Sequence, residues 1–399
     1  MIAMFNEAPE VSSETGRTQA AGRLLSVVQV LRDGGGTAPV ELIVASKLRE
    51  RGHQVRLFGP PEVREYAEAA GFDLAVLEWP GRPDARVCER MIPRMIEASV
   101  AWGRQLEPHL CDGVDLLVAD CLAFGALMAA KKSDVPSVAI RPTVYIAGGS
   151  PSGVALVGDR GAAVDGLNRA RESIGLPPVE SVTEQMLDID RLLVLTARAF
   201  ELPEVQPPRH VRYVGPQFRS RGTTSGYRLP EGNQPLVLVS LSTTDQGQLD
   251  LLQRLLDALA VLPVRAVATL GQAVDPERLC VPDNSVLERY VPHAEVLPDA
   301  AFMITHAGHG TVMAASAAGV PMVCVPMGRD QPAVAARVTA HGLGSSVEPG
   351  SSATELRTAI TEVLQDPTYR ETTHRIAKQL EPANRVVAEL EAAAAAQTR

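Results

Sequence analysis

Aromatic residues are scarce in this sequence, at 4% of 399 positions. A binding pocket built from it would be lined by aliphatic and small side chains, which suits a bulky apolar guest. A basic excess is also lacking. The net charge is −9, so there is no surplus of cations to neutralise phosphates along a polymer, and nucleic acid is excluded as a partner. No apolar run approaches the roughly 18–20 residues that cross a bilayer; the nearest candidate, Leu116 to Ala130, is short and contains Asp120. Residues 1–22 carry Glu, Ser, Thr and Gln where a signal peptide needs an apolar stretch, and read as a disordered tail. Five cysteines, Cys88, Cys111, Cys121, Cys280 and Cys324, are odd in number and without metal-ligand spacing. They suit a reduced cytoplasm, and no metal is expected.

What is present is a globular composition, 45% hydrophobic and 21% charged. The length calls for two domains. An apolar run, Leu24 to Leu31, suits a buried parallel strand. A glycine loop, Asp33 to Ala38, follows it, and Pro39 opens a helix through about Arg51. The alternation continues. His53 to Phe58 reads as a strand, PPEVREYAEAAG as a helix, DLAVLE as a strand and Arg82 to Glu107 as a long helix. VDLLVAD is then a strand, AFGALMAAKK a helix and PSVAI a strand. Such alternation implies right-handed crossovers and a doubly wound parallel sheet. Ala147 to Asp165, rich in Gly, Ala and Ser, breaks the pattern. It reads either as a wall of a ligand pocket at the carboxyl edge of the sheet or as a plain surface loop.

Residues 217–235 are loop-like, and a second α/β series starts at Leu236. The expected strands are LVLVSLS, VRAVATL, SVLERYV, AAFMITH and PMVCVP. The expected helices are Asp250 to Leu259, Gly310 to Ala318, Gln331 to His341, and a final pair from Ala353. The chain thus divides into an N-terminal domain (23–216), a linker (217–235) and a C-terminal domain (236–399) whose last helix is free to pack back on the first domain. The fold class is α/β, with two Rossmann-like doubly wound domains facing a cleft.

The densest chemistry lies between Tyr290 and Gln331. A strand ends at His306 and runs through Ala307-Gly308-His309-Gly310-Thr311 into a helix of small residues. Unpaired amides and the dipole at such a helix start make an anion site. Gly308 and Gly310 allow close approach, and His306 and the Thr311 hydroxyl add donors. His306 and His309 could also serve a metal, but no carboxylate cluster accompanies them.

HAGHGT followed by AAGVPMVCVPMGRDQ resembles the donor-binding signature of family 1 glycosyltransferases of the GT-B fold, in particular the bacterial members acting on macrolides and aromatic polyketides. LNRARESIGLPPV, FELPEVQPPRHVRYVGPQ and YVPHAEVLPDAAFMITHAGHGT stand in the family's order. The resemblance implies diphosphate binding by His306, Gly308, Gly310 and Thr311. It implies hydrogen bonds from Asp330 and Gln331 to sugar hydroxyls, although Asp330 could instead cap the following helix. The base-stacking segment falls on Tyr290 to His293. Val291 would meet the pyrimidine edge, and Tyr290 is either a stacking plate or a core residue. A further turn falls on Ser240 to Thr243, where Ser242 replaces the usual Gly and Thr243 remains a donor. Plant members place a Glu eight residues after the His; here Ala314 stands there, which favours a dTDP-sugar slightly over a UDP-sugar.

Many members carry a basic His three residues before the Pro of the first glycine loop. Here that position is Gly36, so the usual base is absent. The carboxylates that could replace it are Asp120, at the end of VDLLVAD, and Asp33 in the glycine loop. Asp120 would need its pKa raised by burial, or an acidic phenol as acceptor. The alternatives are a helix cap for Asp120 and a turn role for Asp33. The expected activity is inverting, metal-independent transfer of a sugar from a dTDP- or UDP-sugar to an apolar small-molecule acceptor, with no cofactor. A lipid-directed transferase, a sugar-nucleotide epimerase and a donor-binding homologue without catalysis are the competing readings. A homodimer or an auxiliary protein partner is left open.

Overall fold

A computed structural model of the protein describes residues 23–32, 36–78, 91–111, 113–145, 161–218, 226–272, 274–380 and 385–396. The first half runs β1 (Ser26–Val30), α1 (Thr37–Glu50), β2 (Gln54–Gly59), α2 (Arg64–Ala69), β3 (Leu74–Val76), α3 (Met91–Leu106) and β4 (Leu116–Asp120). It continues with α4 (Phe124–Lys132), β5 (Ser137–Arg141), α5 (Ala162–Glu172), α6 (Val182–Leu187), β6 (Arg191–Val194) and β7 (Val211–Tyr213). The second half runs β8 (Leu236–Ser240), α7 (Leu249–Ala260), β9 (Arg265–Thr269), β10 (Ser285–Glu288), α8 (His293–Val296), β11 (Ala300–Thr305) and α9 (His309–Ala317). β12 (Met322–Cys324), α10 (Gln331–Ala340), β13 (Gly344–Ser346), α11 (Ala353–Gln365), α12 (Pro367–Ala377) and α13 (Arg385–Ala396) complete it.

The strands form two sheets, ordered β3-β2-β1-β4-β5-β6-β7 and β10-β9-β8-β11-β12-β13. Every pairing among them is parallel. Parallel strands covered on both faces need apolar residues at successive positions, and β4, β5 and β8 are buried throughout. In each sheet the strand order reverses once, between β1 and β4 and between β8 and β11. Doubly wound sheets open a ligand crevice beyond the strand ends at those reversals. Registers such as Val30↔Ala119 and Thr305↔Ser240 bring the carboxyl ends of each reversal pair level.

The two halves share a core. Val144, Ala197 and Phe200, which follow β5 and β6, pack in one cluster with Val291, Val312, Met313, Ala333 and Val334 of the second half. α13 returns to the first half, where Val386, Val387 and Leu390 pack with Val27, Val44, Leu116, Val138 and Leu193. Arg191 pairs with Glu389 at 2.8 Å beside that contact.

Several elements differ from the sequence reading. β6, β7 and β13 are strands of three or four residues, too short to carry a period. The expected final pair of helices is three, because Pro367 takes the first position of α12 and Asp366 caps it through the Thr368 amide at 2.9 Å. The expected loop to Asp165 ends early, since α5 already begins at Ala162. Its residues 147–160 lie outside the described residues, as do 1–22, 79–90 and 219–225.

Candidate active site

Residues assigned to donor binding gather at the carboxyl edge of the second sheet. β8 ends at Ser240 and β11 at Thr305, side by side. The chain then turns through His306 and Ala307 into α9, whose N-cap is Gly308 and which has no side-chain cap. The leading amides of α9 therefore remain available to an anion. Gly310 is exposed and Thr311 partly exposed on that first turn. Ala307 holds φ +63°, a left-handed conformation that costs a non-glycine residue energy, and Thr305 Oγ1 accepts from its amide at 3.2 Å. A Cβ on Gly308 would lie 2.6 Å from His306 Nε2, so the absent side chain is what gives the imidazole its place. His293 Nε2 lies 3.2 Å from the Ser240 hydroxyl. Burial lowers both imidazoles, His293 and His306, to about 4, so they are neutral hydrogen-bonding groups near neutral pH. Val291 is fully buried, whereas Tyr290 is 62% exposed and so is not a core residue. Thr243 is exposed at the mouth of the turn after β8, while Ser242 Oγ accepts from Gln246 Nε2 at 2.6 Å and from the Thr244 amide at 3.2 Å.

The loop before α10 carries a second left-handed residue, Arg329 at φ +58°. Gln331 holds this loop from inside. Its Oε1 accepts from the Met327 amide at 2.7 Å and the Gly328 amide at 3.1 Å, and its Nε2 donates to Gln246 Oε1 at 3.0 Å. The Gln331 amide thus bonds within the protein through its oxygen and through one bond from its nitrogen. Asp330 occupies the N-cap position of α10 without a side-chain cap bond; its Oδ2 accepts from the Thr143 hydroxyl across the cleft.

His309 bridges the two halves. It opens α9, is buried, and its Nε2 lies 2.6 Å from the Thr196 hydroxyl beyond β6. It also bonds the Pro142 backbone, and burial lowers it to about 4. Arg337 of α10 extends the same seam, donating to Glu201 Oε1 at 2.7 Å and to the Tyr145 carbonyl at 2.9 Å.

Asp120 ends β4 at the reversal of the first sheet and is 1% exposed. It does not cap the next helix, whose N-cap is Ala123. Its Oδ1 accepts from Arg32 Nε at 3.0 Å and from the Leu122 amide at 2.7 Å. The buried carboxyl of Glu41, on α1, lies beside it and interacts with it. Two carboxylates cannot bond each other unless one holds a proton. Burial and the Asp120 charge raise Glu41 well above the usual carboxylate range, whereas Asp120 is held low, against its own burial, by Arg32. The proton therefore sits on the Glu41 side of the pair. The burial-raised Asp120 expected of a base is reversed: the raised carboxyl is Glu41. Asp33 lies outside the described residues.

Sequence reasoning missed Arg32, Glu41, Arg141 and the bridging role of His309. Glu41 did leave a signal, since it falls among Ala38, Leu42 and Ala45 on the buried stripe of α1, where a carboxylate is out of place without a partner. The partners of Arg141, on a neighbouring strand, become evident only in three dimensions.

The model of the erythromycin biosynthesis protein CIII-like C-terminal domain matches residues 253–392. The chain is 30% identical over 288 residues to 4'-demethylrebeccamycin synthase of Lentzea aerocolonigenes, covering 64% of this chain and 68% of that protein. It is 25% identical over 403 residues to UDP-glycosyltransferase 2 of Phaeomoniella chlamydospora, covering 85% and 88%. The solved structure of the kitacinnamycin glycotransferase superposes with a TM-score of 0.79 at 23% identity, covering 94% of this chain and 99% of that one. The chain belongs to the family 1 glycosyltransferases of the GT-B fold, among the members that glycosylate natural products, and its reaction is sugar transfer from a nucleotide sugar.

Proposed function

We propose that the chain moves a sugar from a dTDP- or UDP-sugar to an apolar small-molecule acceptor, with inversion and without a metal. The observation that carries this reading is the uncapped start of α9 behind a strained Ala307. Backbone strain persists where the surroundings enforce it, and here it aims a helix N-terminus at the crevice. The α9 amides, neutral His306 and the Thr311 hydroxyl take up the charge that grows on the diphosphate as the anomeric bond breaks. Gly308 and Gly310 let the phosphates come close, and Thr243 donates from the facing turn. Tyr290 offers an exposed face to the base and Val291 its backbone. Asp330 exchanges the Thr143 hydroxyl for a sugar hydroxyl when the donor enters, while Gln331 keeps its loop in shape. A neutral His306 is a donor through one ring nitrogen only, so positioning and the helix start carry most of the stabilisation.

The test is product analysis. The protein is incubated with dTDP-glucose or UDP-glucose and a panel of hydroxylated polycyclic and macrolide aglycones, and products are read by mass and by anomeric configuration. A glycoside of inverted configuration supports the reading. An isomerised donor, a retained configuration, or nucleotide binding without turnover overturns it.

A further inference from the structure

Arg141, at the end of β5, is 4% exposed. Its Nε donates to the Val144 carbonyl at 2.6 Å, and its Nη1 touches the sulfurs of Cys121 at 3.9 Å and Met186 at 4.0 Å. None of these partners is a carboxylate. A guanidinium is always charged, and burying it without a counter-charge is costly. The cost is met elsewhere in this protein: buried Arg337 has Glu201, and buried Arg171 has Asp188 at 2.8 Å. Arg141 stands apart from them, on the strand beside Asp120, at the carboxyl edge that faces the donor half.

Among the described residues no carboxylate bonds Arg141: nearby Glu201 is taken by Arg337, and Asp330 accepts from the Thr143 hydroxyl. Asp120 is taken by Arg32, and Glu41 keeps its proton. Arg32 and Asp120 pair with each other, which leaves Arg141 without a bonded carboxylate on this buried floor. Burial and the Asp120 charge push the Cys121 thiol up to about 12 against the pull of both arginines, and burial raises Tyr145 above its ordinary value, so neither supplies an anion near neutral pH. His309, from α9, is neutral in that range.

We propose that the acceptor enters as an anion, a phenolate or a carboxylate, whose ionised oxygen is held by Arg141. This deepens the transferase reading above and rests on it. The acceptor loses its proton to solvent before it binds. Its oxygen lone pair then forms the new bond to the anomeric carbon, and the pair of the breaking bond leaves with the nucleoside diphosphate. No proton has to be removed in the site. The absent His and the low-lying Asp120 then fit one scheme, because an acceptor that arrives ionised needs no general base. An alkanol cannot ionise near neutral pH, and Asp120, held low by Arg32, is a poor base for it.

The test compares three acceptors of similar size: 2-hydroxyanthraquinone, anthraquinone-2-carboxylic acid and 2-(hydroxymethyl)anthraquinone. Each is offered to the wild-type protein with dTDP-glucose and UDP-glucose across a pH series. Turnover of the phenol or the acid but not the alkanol is expected, with kcat/KM rising through the acceptor's own pKa; the acid arm separates carboxylate from phenolate recognition. Arg141→Gln should raise KM for the ionised acceptor by about ten- to a hundredfold. Arg141→Lys should recover part of that loss, and dTDP affinity by calorimetry should be unchanged in both. Equal turnover of the alkanol overturns the proposal, as does an Arg141→Gln protein with unchanged KM or one that loses dTDP instead of acceptor. Turnover of none of the three, with dTDP still bound, overturns it too. Loss of nucleotide binding by the wild-type protein would instead sink the parent reading.

Discussion

Replacing Arg337 by Met tests whether the seam between the two halves is held by its buried ion pair. Met fills much of the arginine stem but supplies no donors. The substitution deletes the bonds to Glu201 Oε1 at 2.7 Å, to the Tyr145 carbonyl at 2.9 Å and to the Ala333 carbonyl at 2.8 Å. Glu201 remains fully buried, keeping the Tyr213 hydroxyl at 2.8 Å and the Leu202 amide at 3.0 Å but no cation. Stranding one partner of a buried pair costs about 3–5 kcal/mol. Two neutral donors stay with Glu201, so the lower end of that range is expected. Urea unfolding followed by far-UV circular dichroism measures it. The double variant Glu201→Gln, Arg337→Met should lose less than the sum of the single losses, since the stranded charge is gone. An Arg337→Met protein with an unchanged urea midpoint, or strict additivity in the cycle, would refute the assignment of this pair as the clamp of the seam.

Further outcomes follow from the same geometry. Gly308→Ala places a methyl 2.6 Å from His306 Nε2; the imidazole must swing away, and a loss of about tenfold in dTDP and UDP affinity is expected by calorimetry, with little change in thermal stability. The imidazoles of His293, His306 and His309 have ordinary values of 6.5 and are lowered to about 4. The unfolded chain takes up those protons first, so stability should fall as pH drops from about 6.5 to about 4, measured as a declining urea midpoint; a flat midpoint across that window would contradict it. Glu41 has the opposite linkage. Its raised pKa means the folded state keeps a proton that the unfolded chain releases, so its contribution is lost as pH rises above the ordinary carboxylate value of 4.5. Glu41→Gln presents a neutral amide to Asp120, and its stability should decline less than wild type between about pH 5 and pH 8; identical declines would show that Glu41 is ionised.

Much of the fold was legible because buried parallel strands are long apolar runs. LLSVVQVL, VDLLVAD and LVLVSLS each announce themselves, and glycine turns and helices punctuate them. The α9 turn was legible for a related reason, since glycines beside a strand end have few other uses. The short strands β6, β7 and β13 were not, because three or four residues among loops carry no period. The buried floor of the first half was legible only in part. Asp120 sits at a strand end that sequence alone locates, but its state depends on Arg32 and Glu41, 88 residues away in one case. Pairing across the β1–β4 reversal determines which carboxyl keeps the proton, and only the fold sets that pairing. The same applies to His309, whose partner Thr196 lies 113 residues earlier in the chain.

The uncapped start of α9 as the diphosphate site is the claim on which the functional account rests. Isothermal titration of dTDP and of UDP into the wild-type protein and into Gly308→Ala addresses it without any acceptor. The account predicts saturable heat for at least one nucleotide with the wild type and a clear weakening with the variant. No heat at millimolar nucleotide, or equal affinity in the two proteins, would contradict it.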